Sequence, residues 1–257
     1  MATPMDLGLQ GKRAIVTGGT RGIGRAVANL LAAEGCDVAI CARNRAAVDE
    51  TVSALARSGV RASGGAVDVA DLAALRQWIA ESAQTLGGLD IFVANVSAIA
   101  MGMDEEAWRR GFEIDVMSTV FGIEAALPVL ERSPAGSIVV VGSTALAEIY
   151  SPPRSYASVK AALVPYVKGI ARNLAAKNVR ANMVSPGNVF FEGGVWDTVR
   201  QRNPQMFAET LARNPTGRMA TPDEVANAVV FLASPRASFI SGTHLIVDGA
   251  MTQRVQF

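Results

Sequence analysis

The feature that most constrains the fold is a series of seven short apolar runs separated by helical patterns. These runs hardly alternate between apolar and polar residues, and turn residues bound them, which favours buried strands. They span residues 12–17, 37–42, 60–67, 89–94, 137–141, 180–184 and 243–247. Strands of this kind are typical of a parallel sheet whose two faces are both covered by helices.

An eight-stranded α/β barrel is the alternative at this length. Seven strands, with a glycine-rich turn directly after the first, favour a single-domain α/β fold: a doubly wound, seven-stranded parallel sheet of Rossmann type. All 257 residues are expected to form this one domain. Helices are predicted over 25–33, 45–57, 71–86 (capped by Asp71), 104–130, 154–177 (kinked at Pro165) and 222–233 (capped by Thr221).

Residues 188–218 form the irregular part of the pattern. Large apolar side chains, Phe190 and Trp196 among them, stand there between glycines. This composition predicts a lid over a substrate pocket. A surface subdomain with its own small core is the alternative.

Composition excludes several classes of partner. Lys and Arg number 24 against 23 acids, a net charge of +1, so neither nucleic acid nor a membrane surface is expected to bind. No apolar run reaches the roughly 20 residues of a membrane span, and the N-terminus shows no secretory signal.

Cysteine and histidine are scarce. Cys36 and Cys41 are the only cysteines, and five residues apart on one strand they would point to opposite faces and not pair. A cytoplasmic location fits this usage. His244 is the single histidine and is predicted to be an ordinary strand residue. A metal site and a Ser-His-Asp triad are therefore not expected.

The turn after the first strand contains Gly18, Gly22 and Gly24. Glycines let backbone amides approach a pyrophosphate, and the following helix offers the positive end of its dipole. Because the turn lies between a strand and a helix, it predicts a dinucleotide site.

The residues after the second strand indicate which dinucleotide binds. NAD sites usually place Asp or Glu there, but this chain has Arg43, and Arg21 lies in the turn on the same side. Two guanidinium groups suit a phosphate better than a diol, which favours NADP(H). Asp68, at the end of the third strand, is a candidate acceptor for the adenine amine or, alternatively, a helix cap.

Tyr156 and Lys160 lie four residues apart on a predicted helix and so share one face. An ammonium close to a phenol favours the phenolate and provides a proton donor and acceptor nearer neutral pH. Ser143 directly follows the fifth strand, where open α/β sheets bind ligands. The pair alone would be unremarkable; its context makes it a candidate catalytic site.

Together these motifs resemble the short-chain dehydrogenase/reductase family over essentially the whole chain. The nearest likeness is to bacterial 3-oxoacyl-thioester and related ketone reductases, among which NADPH and tetramers are common. The matching positions are Thr17–Gly24, Asp68, Val69, Asn95, Ser143, Tyr156, Lys160, Pro186, Gly187, Gly217, Arg218 and Val247–Gly249.

The resemblance implies a role for each matching position. Tyr156 would protonate the carbonyl oxygen as hydride arrives from the nicotinamide, Lys160 would assist it and hold the ribose, and Ser143 would orient the substrate. Asn95 would lie near the adenosine ribose. The expected cofactor-binding residues are Gly18, Thr20, Arg21, Gly22, Ile23, Gly24, Arg43, Asp68, Val69, Asn95, Tyr156, Lys160, Pro186, Gly187 and Val189. The expected substrate-contacting residues are Ser97, Ser143, Tyr150, Phe190 and Trp196.

Asp115 departs from the family pattern and is a further candidate catalytic residue. The family has an asparagine there, whose backbone carbonyl helps a water reach the lysine. Aspartate keeps that carbonyl, so the backbone role can be retained and Asp115→Asn would then change turnover only a few-fold. Alternatively the carboxylate pairs with Lys160 and takes part itself, and the substitution would then have about a hundredfold effect.

Two further departures lie near the expected nicotinamide and substrate. The usual Asn-Asn-Ala-Gly after the fourth strand is Ala94-Asn95-Val96-Ser97, and Ile99 follows. The usual threonine after Pro186-Gly187 is missing, and the run continues as Asn188, Val189, Phe190, Phe191. Asn188 or backbone amides would have to replace its contact.

The expected activity is hydride transfer between NADP(H) and a small carbonyl or alcohol substrate, a ketone or a 3-oxoacyl compound. Two alternatives stay open: a catalytically weak NADP(H)-binding regulator or scaffold, and an NAD-dependent alcohol dehydrogenase. A homotetramer or homodimer is expected from the resemblance.

Overall fold

The computed structural model describes residues 6–148, 152–253 and 255. Seven strands form one sheet in the order β3-β2-β1-β4-β5-β6-β7, and every neighbouring pair is parallel. The strands are β1 (Arg13–Thr17), β2 (Asp37–Ala42), β3 (Ala62–Ala66), β4 (Ile91–Ala94), β5 (Gly136–Val141), β6 (Val179–Pro186) and β7 (His244–Val247). The predicted doubly wound sheet is confirmed, and the barrel alternative is wrong.

Helices cover both faces of the sheet. They are α1 (Gly22–Ala33), α2 (Arg45–Ala56), α3 (Leu72–Leu86), α4 (Glu105–Gly111), α5 (Ser118–Leu130), α6 (Ser155–Leu174), α7 (Val195–Arg202), α8 (Pro204–Ala212) and α9 (Pro222–Ala233). The predicted caps are present: Asp71 accepts from the amides of Ala73 and Ala74, and Thr221 forms a reciprocal cap with Glu224. No helix among the described residues is long and apolar enough to cross a membrane.

Two hydrophobic cores lie on opposite faces of the sheet. Along β1, Ile15 joins the core under α3, α5 and α6, whereas Ala14 and Val16 join the core under α1 and α9. Successive strand residues point to opposite faces, so a strand buried on both sides needs an apolar residue at every position. This requirement explains the non-alternating runs.

The two cysteines follow the same geometry. Cys36 lies in one core and Cys41 in the other, both unpaired and buried, which confirms that they cannot bond to each other. His244 is a strand residue of β7, as predicted, and its Nε2 lies 2.7 Å from Ser185 Oγ.

Two predicted segments differ in detail. The stretch 104–130 is helical as expected, but a π-helical turn, Phe112–Met117, joins α4 to α5. The prediction that 188–218 is irregular is wrong, because α7 and α8 lie within it. Asn203 caps α8 by accepting from the Met206 amide, and Pro204 occupies its first turn, so polar capping builds a helix there.

Candidate active site

The glycine-rich turn is braced from β4 by Asn95. The Asn95 Nδ2 donates to the carbonyls of Thr17 and Gly18 at 3.0 and 3.2 Å, and its backbone amide donates to Thr17 Oγ1 at 3.0 Å. A Cβ on Gly24 would lie 2.4 Å from Asn95 Nδ2, so only glycine fits there. Asn95 thus holds the turn in place, and Gly22 and Gly24 form the kind of cradle that a pyrophosphate requires.

An aromatic ring from the segment after β6, that of Phe191, lies against this glycine cradle. A Cβ on Gly22 would lie 2.7 Å from Phe191 Cζ, and a Cβ on Gly194 would lie 2.9 Å from the same atom. Phe191 is therefore held between the phosphate turn and the start of α7. It links residues 188–218 directly to the predicted cofactor site.

Arg43 and Asp68 lie in one cavity of about 680 Å³ at the carboxyl ends of β2 and β3. Arg109, Arg110 and Glu113 of α4 and the π turn, together with Glu105, Glu106 and Ile114, complete its lining. Asp68 Oδ1 accepts from the Ala70 amide at 3.1 Å, and Val69 beside it is buried. The structure thus brings Arg43 and Asp68 together in this cavity, and Arg21 is exposed in the glycine-rich turn.

A buried ion pair lies at the carboxyl end of β5. Lys160 Nζ is 2.9 Å from Asp115 Oδ1, with 2% and 0% of the two side chains exposed. Nζ also donates to the Val141 carbonyl at 3.2 Å. The other carboxylate oxygen, Asp115 Oδ2, accepts from the Ala98 amide at 3.0 Å. The carboxylate therefore contacts the lysine and the loop after β4 together.

The charge of Lys160 is fixed by this environment. Burial by itself lowers the pKa of the ammonium, but the carboxylate of Asp115 and then Tyr156 act in the opposite sense, and the pKa lies above its ordinary value of 10.5. Lys160 is consequently an ammonium at neutral pH. It lies one helical turn after Tyr156 on the same face of α6.

The π turn sets the position of Asp115. Insertions of this type lie frequently at functional sites, because they rotate one side chain relative to the flanking helix. The backbone carbonyl of Asp115 accepts from Thr119 Oγ1 at 2.8 Å. The carbonyl that the family resemblance assigns to a water is thus already hydrogen-bonded to a side chain.

Ser143 and Tyr156 are both half-buried near the end of β5. Ser143 precedes a 3-10 turn, Thr144–Ala147, and its Oγ accepts from the Ala145 amide at 3.2 Å. Tyr156 is the second residue of α6. The preceding Ser155 donates to the carbonyls of Ala100 and Gly102, which ties the start of α6 to the loop after β4.

The loop after β4 contains a strained residue. Ile99 has φ of 48°, a conformation that is costly for a β-branched side chain. Its amide donates to Ser97 Oγ at 3.2 Å, next to the Ala98–Asp115 bond. Ser97 is thus part of a fixed loop whose exposed apolar end is Ile99.

The predicted residues after β6 are divided between two environments. Gly187 donates to the Val247 carbonyl, and Val189 forms a bridge with Ala220, so both are fixed near the sheet edge. Phe190 packs edge-on against Phe207 and under the Arg200 guanidinium, 4.7 Å from its ring centre. Trp196 lies on α7. Tyr150 falls outside the described residues.

Sequence reasoning missed four contributors to this site. The Val141 carbonyl, the Ala98 amide and the Phe191 ring have no residue-type signal that marks them. Thr119 could have been found, because it lies four residues after Asp115 on a predicted helix.

Comparison with known proteins agrees with this geometry. The family model described as enoyl-(acyl carrier protein) reductase matches residues 18–252. The chain belongs to the short-chain dehydrogenase/reductase family. It is an oxidoreductase of this type, as its sequence resemblance predicted.

Relatives cover nearly the whole chain. Isoepoxydon dehydrogenase patN of Penicillium expansum is 41% identical over 98% of this chain and 99% of its own. The 3-oxoacyl-[acyl-carrier-protein] reductase FabG of Vibrio cholerae is 34% identical over 95% of this chain and 99% of its own. The predicted likeness to 3-oxoacyl reductases is confirmed.

Solved structures of family members superpose over the full sheet. A short-chain dehydrogenase from Burkholderia cenocepacia, in complex with NADP, has a TM-score of 0.85 and 31% identity, covering 95% of this chain and 99% of its own. A 7α-hydroxysteroid dehydrogenase, complexed with NADH and 7-oxo glycochenodeoxycholic acid, has a TM-score of 0.89 and 30% identity, and both chains are covered completely.

Proposed function

We propose that this protein transfers hydride between NADP(H) and a carbonyl or alcohol group of a mainly apolar small molecule, with Tyr156 as the general acid and base. The observation that carries the proposal is the buried Lys160 ammonium, fixed at the end of β5 by the Val141 carbonyl one turn from Tyr156. An ammonium in this position makes the phenol a better proton donor.

Each residue then has a defined task. The bound cofactor supplies the hydride. In the reductive direction, Tyr156 Oη gives its proton to the carbonyl oxygen and becomes a phenolate, which the Lys160 ammonium stabilises. Ser143 Oγ donates to the same oxygen and orients it. The glycine cradle, braced by Asn95, holds the pyrophosphate through backbone amides.

Arg43 supports the choice of NADP(H) over NAD(H). Its guanidinium and Asp68 line one cavity, where a 2′-phosphate would meet the cation and the adenine amine would meet the carboxylate. One structural neighbour is an NADP complex and another an NADH complex, so the choice must be tested directly.

The substrate class follows from the apolar side chains near the site. Phe190 and Phe207 form an aromatic pair beside α7, and Ile99 exposes its side chain at the end of the loop after β4. Pockets lined in this way favour apolar ligands with one polar group to orient them. Cyclic ketones and 3-oxoacyl thioesters are the two candidate classes; one relative is named as a 3-oxoacyl-[acyl-carrier-protein] reductase, and one solved neighbour is a complex with 7-oxo glycochenodeoxycholic acid.

The test measures dissociation constants for NADPH and NADH, then oxidation of each by a panel of cyclic ketones and 3-oxoacyl thioesters. We expect tighter binding of NADPH and turnover with at least one ketone. Arg43→Ala should weaken NADPH binding at least tenfold and leave NADH unchanged. Arg45→Ala is the matched control, since Arg45 is exposed and paired with Asp49.

Two results would each contradict one part of the proposal, the cofactor or the catalysis. Equal affinities for NADPH and NADH would remove the argument from Arg43 and favour the NAD-dependent alcohol dehydrogenase. Tight NADPH binding without oxidation by any compound would favour the regulator or scaffold.

We also propose that the chain assembles as a homodimer or homotetramer. The exposed large apolar side chains include Trp108 and Phe112, beside the start of the π turn, and Phe239 and Leu245, at and before β7. Exposed apolar groups of this size commonly mark protein interfaces. Light scattering would test this, and a monomer at working concentration would contradict it.

A further inference from the structure

We propose that Asp115 is a positioning residue whose carboxylate serves the Lys160 ammonium and the Ala98 amide at the same time, and that asparagine cannot replace it. This inference rests on the proposed function and adds a specific requirement to it. The two contacts use different oxygens, Oδ1 for Lys160 and Oδ2 for Ala98. Both belong to a side chain that is completely buried.

Aspartate and asparagine differ in the number of acceptors that they offer. A carboxylate presents two acceptor oxygens, whereas a carboxamide presents one oxygen and one N–H₂ donor. Asn at position 115 could therefore accept from Lys160 or from the Ala98 amide, but its nitrogen would face the other donor. A buried donor left facing another donor is costly.

The contact to Lys160 is made by the side chain of Asp115, whose Oδ1 lies 2.9 Å from Nζ. The Asp115 carbonyl accepts from Thr119 Oγ1 at 2.8 Å. The side chain is thus the part of Asp115 that reaches Lys160. Of the two interpretations left open by the sequence, this contact favours the one in which the carboxylate itself takes part.

Among the described residues, few charged groups other than Asp115 act on the Lys160 ammonium. Asp115 and Tyr156 are the ionisable side chains that influence Lys160. Glu113 of the π turn and the four charged residues of α4 are exposed. The 3-10 turn at 144–147 carries no ionisable residue, and Arg180 of β6 is bound to the carbonyls of Leu232 and Ile240.

The carboxylate also affects when Lys160 loses its proton. A negative charge in contact with the ammonium raises the pKa of Lys160. Removing that charge makes Lys160 lose its proton at lower pH. Because the proposed reduction depends on the ammonium beside the phenol, its rate must then begin to fall at lower pH as the solution becomes alkaline.

The loop contact affects the substrate instead. Ala98 lies between Ser97 and the strained Ile99, and its bond to Asp115 helps to hold this conformation. Without the second acceptor the loop loses a fixed point next to the expected substrate. A rise in KM for the ketone should follow.

The experiment compares Asp115→Asn with the matched control Thr119→Val. The control removes the contact to the Asp115 carbonyl and leaves the carboxylate. We expect Asp115→Asn to shift the alkaline fall of kcat/KM for ketone reduction downward by about one pH unit or more, and to raise the ketone KM at least fivefold. Thr119→Val should leave the alkaline fall within about 0.3 unit of wild type.

The outcomes separate this inference from the proposed function. If Asp115→Asn keeps both the alkaline fall and the ketone KM of wild type, the carboxylate has no positioning role. If Thr119→Val reproduces the shift, the backbone carbonyl acts instead. A wild-type protein with no carbonyl turnover would overturn the proposed function.

Urea unfolding tests the contact between Asp115 and Lys160 without measuring activity. We expect Asp115→Asn to lower the unfolding midpoint and the double variant Asp115→Asn, Lys160→Met to recover most of the loss. The same comparison applies if Asp115→Asn yields no folded protein, because the double variant should then fold. A double variant as defective as Asp115→Asn would overturn the inference.

Discussion

Two carboxylates, Asp90 and Asp115, are buried against cations at opposite edges of the same sheet, one where the parallel strands begin and the other where they end. Arg13 and Asp90 meet at the amino-terminal edge, where β1 and β4 begin, and the Nε–Oδ2 distance is 2.8 Å. Lys160 and Asp115 meet at the carboxyl-terminal edge, with a separation of 2.9 Å. The two ion pairs have similar N–O distances but differ in how many hydrogen bonds their polar atoms form.

Asp90 is saturated. Its Oδ2 accepts from the Arg13 backbone amide and Nε, and its Oδ1 accepts from Arg13 Nη2 and Ser133 Oγ. Burial raises the pKa of Asp90, but the bonds from Arg13 and Ser133 outweigh it, and the pKa lies below the ordinary 3.8. A carboxylate held in this way ties two strand starts together and has no capacity left for a ligand.

The Asp115 pair uses fewer of its polar atoms. Its Oδ1 lies 2.9 Å from Lys160 Nζ, and its Oδ2 accepts from the Ala98 amide. The ammonium has three N–H groups, and besides Asp115 it has a hydrogen bond to the Val141 carbonyl among the described residues. The edge that carries the predicted site thus keeps polar capacity, whereas the opposite edge uses its own for stability.

Removing Lys160 should give the largest effect of all. Lys160→Met leaves Asp115 as a buried charge without its cation, so the free energy of unfolding should fall by about 3–5 kcal/mol. Ketone reduction should fall at least a thousandfold, because the phenol loses its ammonium. Urea unfolding and steady-state kinetics measure the two effects, and a variant with unchanged kinetics would remove the functional half of the comparison.

Substitution at the opposite edge should affect stability alone. Asp90→Asn loses charge-assisted bonds to Arg13, and the free energy of unfolding should fall by about 2 kcal/mol. The folded protein should keep kcat and both KM values within twofold, since Asp90 lies at the far end of the strands. A tenfold loss of kcat at a temperature where the variant is folded would show that the two edges are not independent.

Replacement of a cradle glycine should affect cofactor binding. Gly22→Ala places a methyl group 2.7 Å from Phe191 Cζ at a φ of +53°, so NADPH binding should weaken about tenfold. Gly59→Ala is the matched control, because Gly59 also has positive φ, +80°, but no atom within 4 Å of the added Cβ. Both should lose about 1 kcal/mol of stability. Equal NADPH affinities in the two variants would mean that the Phe191 contact is irrelevant.

The smallest expected effect is a change, at low pH, in the stability difference between wild type and Asp90→Asn. Because the folded-state pKa of Asp90 is lowered, its contribution to stability is present above the ordinary value of 3.8 and is lost as pH falls through the folded-state value. The stability gap between wild type and Asp90→Asn should therefore narrow from pH 5 to pH 2. Unfolding in urea at several pH values measures it, and a constant gap would contradict the assignment.

The doubly wound sheet and the ends of its strands were predictable from the sequence for a physical reason. A strand buried on both faces is mostly apolar, so its end is marked where the apolar run stops, as at Gly18 and Gly142. Lys160 and Tyr156 could be paired because helical spacing is fixed. Both kinds of inference use local geometry only.

What the sequence could not predict depends on distant residues. The contact between Lys160 and Asp115 could be offered only as one of two alternatives, because it joins residues 45 positions apart (160 − 115) and lies in a π turn that no propensity marks. The Phe191–Gly22 contact requires the whole sheet to bring two loops together. The helices α7 and α8 were missed because they are short, with eight and nine residues, and lie among glycines and polar residues.

The most direct test of the central claim is hydride transfer by Tyr156→Phe. This change removes only the phenolic oxygen, so NADPH affinity should remain within about twofold while reduction of the best ketone falls by at least a thousandfold. A Tyr156→Phe protein that reduced that ketone at the wild-type rate would contradict the account, because the proton would then have to come from another group.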